Sequence, residues 1–138
     1  MNKTDNLTTK ETFALAVQNH QKNNLKVAEN LYKKILKTDP DHASAHNNLG
    51  LIFQAFGEFQ KARSCYEKAI QIKPNYANAY NNLGLVLKEL GERKKAISNY
   101  EKAIQLNSNQ ADMHNNLANA YRELGELQKA IGYYEKAI

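Results

Sequence analysis

A 34-residue period governs this chain. Asn47, Asn81 and Asn115 recur at that spacing, as do Ala62, Ala96 and Ala130, and Tyr66, Tyr100 and Tyr134. Carrying the ruler back from Ala62, Tyr66 and Pro74 lands on Ala28, Tyr32 and Pro40. Four copies follow, at 9–42, 43–76, 77–110 and 111–138, with the last incomplete and residues 1–8 left as a leader. A period of this length marks a supersecondary unit repeated along a line, not a single globular core.

Inside a copy the apolar spacing is helical. Leu49, Phe53 and Phe56, then Ala62, Tyr66, Ala69 and Ile70, step by three and four, so each copy reads as two helices. Gly57, Gly91 and Gly125 fall where the first helix must stop, and Asn23 takes that place in the first copy; these residues tolerate the left-handed conformation that ends helices. Pro40 and Pro74 forbid continuation of the second helices, and Ser108, within Asn107-Ser108-Asn109, does so more weakly. Thr8 with Glu11 three residues on has the form of a capping box. The fold class is therefore all-α.

Composition narrows the function classes. The 138 residues are 42% hydrophobic and 24% charged, a profile of ordinary folded proteins rather than of disordered or collagen-like chains. The longest apolar run, Phe13 to Val17, is far short of the roughly 20 residues a spanning helix needs, and too short for an export signal. Cys65 is the only cysteine, which excludes an internal disulfide and suits a reducing, cytoplasmic compartment. The net charge of +5 is spread thinly: 6 basic against 4 acidic residues in 9–42, 4 against 2, 5 against 3, and 3 against 4 in the last copy. Nucleic-acid binders concentrate cations on one face, so neither a nucleic-acid nor a membrane partner is expected.

His46, Leu49, Gly50, Phe53, Ala62, Tyr66, Ala69 and Pro74 of the second copy carry a further implication. Their order of aromatic-like residue, Leu-Gly, aromatic, Ala, aromatic, Ala and Pro resembles the tetratricopeptide repeat (TPR). The third copy repeats it with Tyr80, Leu83, Gly84, Leu87, Ala96, Tyr100 and Ala103, the fourth with His114, Leu117, Ala118, Tyr121, Ala130, Tyr134 and Ala137. The first copy diverges, since Thr12 and Asn19 stand where aromatics are usual, and its first helix is expected to pack less firmly. The resemblance implies a right-handed superhelical solenoid of antiparallel helix pairs, with the first helices lining a concave surface.

The doublets Asn47-Asn48, Asn81-Asn82 and Asn115-Asn116 are the distinctive feature of those first helices. At about 100 degrees per residue, Ser44, Asn48, Leu51 and Ala55 lie opposite the core stripe of the second copy, with Asn47 and Gln54 on its flank. The same projection gives Asn78, Asn82, Leu85 and Glu89, then Asp112, Asn116, Asn119 and Glu123; Lys10, Lys88 and Arg122 balance the carboxylates on this face and its flanks. Asn48, Asn82 and Asn116 thus form a ladder beside Leu51 and Leu85, with Asn47, Asn81, Asn115, Asn119, Lys88 and Arg122 completing the candidate peptide-binding set. Two readings compete: the amides tie one helix to the next, or they hold the backbone of an extended peptide, for which a side-chain amide both donates and accepts. These segments are similar to those in the repeat arm of O-linked N-acetylglucosamine transferases, which implies a peptide-holding role for Asn48, Asn82 and Asn116. The family's clamp for acidic C-terminal tails matches poorly: its places fall on Phe13, Val17, Asn48, Asn78 and Asn82, and only Asn48 fits.

Other chemistry is weakly supported. His42 and His46 are four apart, but His42 precedes the helix and no third ligand is near, so no metal or other cofactor is expected. His46 and His114 occupy aromatic packing positions, and His20 has no nucleophile partner at a recognisable spacing. Glu89, Glu123 and Asp112 read as solvated charges, the glycines as punctuation, and Cys65 as a partly exposed, unreactive thiol. No enzyme is visible. The chain reads as a scaffold binding a protein or peptide; the alternatives are the substrate-recruiting arm of a larger glycosyltransferase or sulfotransferase, and a structural oligomerisation module. Because a repeat array normally ends on a polar face, the region of Tyr121, Leu124, Ile131 and Tyr134 is expected to be partly uncovered, implying a fragment or self-association through the C-terminal end.

Overall fold

The computed structural model describes residues 6–125 and 127–137. Among them every regular element is a helix: α1 (Thr9–Gln21), α2 (Leu25–Thr38), α3 (Ala43–Ala55), α4 (Phe59–Ile72), α5 (Ala77–Glu89), α6 (Arg93–Leu106), α7 (Ala111–Glu123) and α8 (Leu127–Ala137). They divide into two compact units, residues 1–72 with α1–α4 and residues 73–138 with α5–α8. In each unit consecutive helices form hairpins, and the second helix of one hairpin packs on the first helix of the next.

The turns follow from the residues at the breaks. Gly57, Gly91 and Gly125 have φ of 76, 81 and 80 degrees, and Asn23 is the one non-glycine with positive φ among the described residues, at 65 degrees. After α3 the Gly57 amide donates to the Gln54 carbonyl at 3.0 Å and the Glu58 amide to that of Phe53 at 2.8 Å, so two carbonyls left over by the helix are satisfied within the turn. Asn23 and Asn24 make the same pair of bonds to His20 and Asn19. At the other end of the chain's first helix the Thr8–Glu11 capping box closes reciprocally, at 3.1 Å in both directions. Leu7 and Thr8 are not detached from the fold, because with Thr12, Ile35 and Thr38 they line a recess of about 290 Å³ against α2. The earlier part of the leader, residues 1–5, lies outside the described residues.

Two glycines set the spacing inside hairpins. A Cβ on Gly50 would stand 2.6 Å from Tyr66 Cε1, and one on Gly84 would stand 2.5 Å from Tyr100 Cε1. The fully buried tyrosine rings therefore lie directly on the backbone of the first helix. Thr12, which replaces an aromatic in the first copy, is still buried, its hydroxyl donating to the Thr8 carbonyl at 2.9 Å. Phe56, read as part of the apolar stripe, instead forms the C-cap of α3 and is 42% exposed.

Candidate functional site

In α3 and α7 the first helix of a hairpin is buried on two sides, by its own partner helix and by the second helix of the preceding hairpin. In α3 the buried set includes Ala45, Asn47 and Ile52 as well as Leu49, Gly50 and Phe53. This corrects the projection at one point. Asn47 and Asn81, placed on the flank by a wheel centred on one stripe, are 5% and 7% exposed, whereas Asn115 is exposed. Asn48, Asn82 and Asn116 are half-buried, as are Leu51, Leu85 and Asn119.

Each unit ties one of these second asparagines inward. In unit 1 Asn48 Nδ2 donates to the Tyr32 hydroxyl at 3.3 Å, linking α3 to α2, and its carbonyl oxygen takes a long 3.5 Å bond from Asn47 Nδ2. In unit 2 Asn116 Nδ2 donates to Asn81 Oδ1 at 3.1 Å, linking α7 to α5. Both asparagines thus use an N–H on a buried acceptor. The carbonyl oxygen of Asn116 has no protein partner among the described residues.

Tyr32 is fully buried, and its hydroxyl also lies 3.3 Å from His20 Nδ1 on α1. Burial raises the Tyr32 pKa, partly offset by the Asn48 bond, and burial lowers that of His20. The repeat varies this contact one position at a time. Where the first copy has His20, the second has Gln54, whose Oε1 accepts from the Tyr66 hydroxyl at 2.7 Å; the third and fourth have Lys88 and Arg122.

Those two cations are already engaged. Lys88 Nζ lies 3.2 Å from Glu123, which also receives Arg93 at 3.4 Å. Burial opposes ionisation of Glu123, but the Lys88 bond and charge, reinforced by Arg93, outweigh it and hold the carboxyl below its ordinary range. Arg122 donates to Asn119 Oδ1 at 3.2 Å and lies over the Tyr134 ring, while the Tyr134 hydroxyl donates to the same oxygen. Unit 2 therefore brings Asn82, Leu85 and Lys88 of α5 beside Asn116, Asn119 and Arg122 of α7, with Lys88 paired to Glu123 and Arg122 held by Asn119 and the Tyr134 ring.

The histidines have structural occupations that the packing assignment missed. His46 Nε2 bonds the Pro40 carbonyl at 2.8 Å and His114 Nε2 that of Ser108 at 2.9 Å, the same bond six residues back in two copies. The matching six-residue spacing was the available signal. His42 Nδ1 accepts from the Ala45 amide at 3.1 Å as the N-cap of α3. Among the described residues no three His, Cys, Asp or Glu side chains converge as a metal site, and no helix is long and apolar enough to cross a membrane. Burial pushes the half-buried Cys65 thiol up to about 11, which disfavours the reactive thiolate. At the other end of the chain Tyr121, expected to be partly uncovered, is buried at 7% and donates to Glu101 at 2.7 Å, whereas Leu124 and Ile131 are exposed at 36% and 54%.

Comparison with known proteins agrees with this architecture. The tetratricopeptide repeat family profile matches residues 41–109 and 76–138. A crystal structure of MamA is similar over 98% of this chain and 79% of its own, with 30% identity and a TM-score of 0.90. MamA from Desulfovibrio magneticus RS-1 shares the fold at 20% identity, covering 94% of this chain and 73% of its own with a TM-score of 0.86. PilF of Pseudomonas aeruginosa is 26% identical, over 94% of this chain and 60% of its own, with a TM-score of 0.87. No curated protein sequence matches. By its repeats, its helix pairs and the profile match, the chain belongs to the tetratricopeptide repeat family.

Proposed function

We propose that this chain is a protein-interaction scaffold whose first helices present side-chain amides to an extended peptide or partner segment, Asn48 in unit 1 and Asn82 with Asn116 in unit 2. The observation that carries the reading is the state of the amides: Asn48 and Asn116 are half-buried, each with one N–H held by a buried acceptor. An amide fixed on its inner side offers the remaining edge to a ligand without paying for its own ordering. Leu51 supplies apolar contact beside the anchor of unit 1 and Leu85 beside those of unit 2, where Asn119, Lys88 and Arg122 complete the surface. Asn47 and Asn81, being buried, support the amides rather than touch the ligand.

The test is capture on an array of uncharged 15-residue peptides by the parent and by the triple Asn48, Asn82 and Asn116 to Ala variant, well below the melting temperature. A net hydrogen bond of about 0.5–1.5 kcal/mol per amide predicts a roughly two- to tenfold loss for each replacement. Capture by the folded triple variant equal to the parent's refutes the reading.

A second reading, suggested by the repeated asparagine doublets, is a substrate-recruiting arm of a larger enzyme. A catalytic domain on the same native polypeptide would distinguish it. Ile131, 54% exposed where its repeat equivalent Ile97 is 7% exposed, supports self-association through α8, which sedimentation across a concentration series tests. The single cysteine, which excludes an internal disulfide, favours the cytoplasm as the working compartment.

A further inference from the structure

Among the ligand-facing amides proposed above, Asn48 has an anchor that titrates and Asn116 has one that does not. Asn48 is held by Tyr32, whose hydroxyl meets His20; Asn116 is held by the neutral amide of Asn81. We propose that His20, Tyr32 and Asn48 form a hydrogen-bond polarity switch that sets which group of the Asn48 amide is presented to the peptide.

The chain of donors fixes the two settings. With neutral His20 in its Nε2–H tautomer, the Tyr32 hydroxyl donates to Nδ1 and its oxygen accepts from Asn48 Nδ2. Asn48 then keeps its carbonyl oxygen for the ligand side. Protonated His20 carries a hydrogen on Nδ1 and must donate to the Tyr32 oxygen, so the phenolic proton needs another acceptor. Tyr32 is fully buried, and a proton left unpaired there is costly. Rotation of the Asn48 amide supplies Oδ1 as that acceptor and turns the NH₂ group outward. The rotation exchanges the Asn48 Nδ2 bond to Tyr32 for one from the Tyr32 hydroxyl to Oδ1, and gives up the long 3.5 Å bond from Asn47 Nδ2. One site on the ligand face thereby changes from acceptor to donor.

The surroundings leave the imidazole as the controlling group. The titratable side chain of α2 that meets it is Tyr32, whose own pKa is raised, and α3 contributes the neutral Asn48 to the chain. The His20 shift comes from burial and moves the switch to lower pH than an ordinary imidazole would give. The repeat itself supplies a locked form, because Gln54 at the equivalent position accepts from its tyrosine with no proton to gain.

This inference rests on the peptide-binding reading, but its central test needs no ligand. Side-chain amide signals of Asn48 and Asn116 and the imidazole signal of His20 are followed by NMR between pH 8 and pH 5, in the parent and in His20→Gln. The expected result is an Asn48 amide pair that shifts with the His20 midpoint, an Asn116 pair that stays put, and an Asn48 pair in His20→Gln frozen at its pH 8 position. Tyr32→Phe should also abolish the Asn48 shift. An Asn48 pair silent while His20 titrates, or one that titrates unchanged in His20→Gln, overturns the switch. Failure of the triple asparagine variant to lose array capture would instead remove the peptide-binding reading while leaving the NMR result standing.

Discussion

The bond from Asn116 to Asn81 allows the structural and ligand-facing roles of the doublet to be weighed separately. Asn81 is 7% exposed and accepts at 3.1 Å from the half-buried Asn116. Replacing Asn116 by Ala removes a neutral hydrogen bond worth about 0.5–1.5 kcal/mol net, and leaving the buried Asn81 carbonyl without its donor brings the cost to about 1–3 kcal/mol. Replacing Asn81 by Ala instead frees a half-exposed amide that water can satisfy, so the cost is the lost bond plus a small cavity, about 1–2 kcal/mol. Removing both leaves no orphan, and the double variant should be less destabilised than the sum of the singles by about 0.5–1.5 kcal/mol. The assay is urea unfolding of the four proteins followed by circular dichroism. In a unit of this size 1 kcal/mol corresponds to roughly 4–8 °C, so thermal melts should rank the variants in the same order. Additivity within about 0.3–0.5 kcal/mol would refute the coupling and return both asparagines to independent roles.

Three further outcomes follow from the geometry. Gly84→Ala drives a methyl to 2.5 Å from the buried Tyr100 ring, and despite about 1 kcal/mol of improved helix propensity it should be net destabilising by about 1–2 kcal/mol; a melt equal to or above the parent's contradicts this. Glu29 is buried and its pKa is lowered, mainly by the Lys33 bond, against burial and with help from Lys26, so its stabilisation is present above the unfolded carboxylate pKa and is lost as pH falls through the folded one; the stability gap between parent and Glu29→Gln should close on acidification, and a gap constant down to pH 2 would contradict it. Peptides ending in acidic residues and a free carboxylate should not bind specifically, because Lys88 already pairs with Glu123; calorimetry giving micromolar binding that vanishes on terminal amidation would overturn this.

The sequence carried the helical architecture because each of its signals is local. A left-handed turn at Gly57 or Asn23 and the Thr8–Glu11 box depend on residues close together in the chain, so type and spacing sufficed. The candidate site was legible in part for the same reason. The helical period puts Asn48, Asn82 and Asn116 opposite the core stripe, where the structure leaves them half-buried, yet the wheel misplaced Asn47 and Asn81 and missed the carbonyl bonds of His46 and His114.

What the amino-acid order determined by itself is therefore the repeat, its helix pairs and the places where they break, since a period of 34 with caps at fixed offsets leaves the backbone few alternatives. What only the tertiary structure decided is which polar groups meet. A helical wheel gives direction about one axis, whereas burial of Asn81 and its bond to Asn116 depend on a second helix 35 residues away, and the Tyr32 junction draws His20 and Asn48 from two others. Those partners are fixed by the packing of helix on helix within each unit, which the order of residues along one helix does not specify.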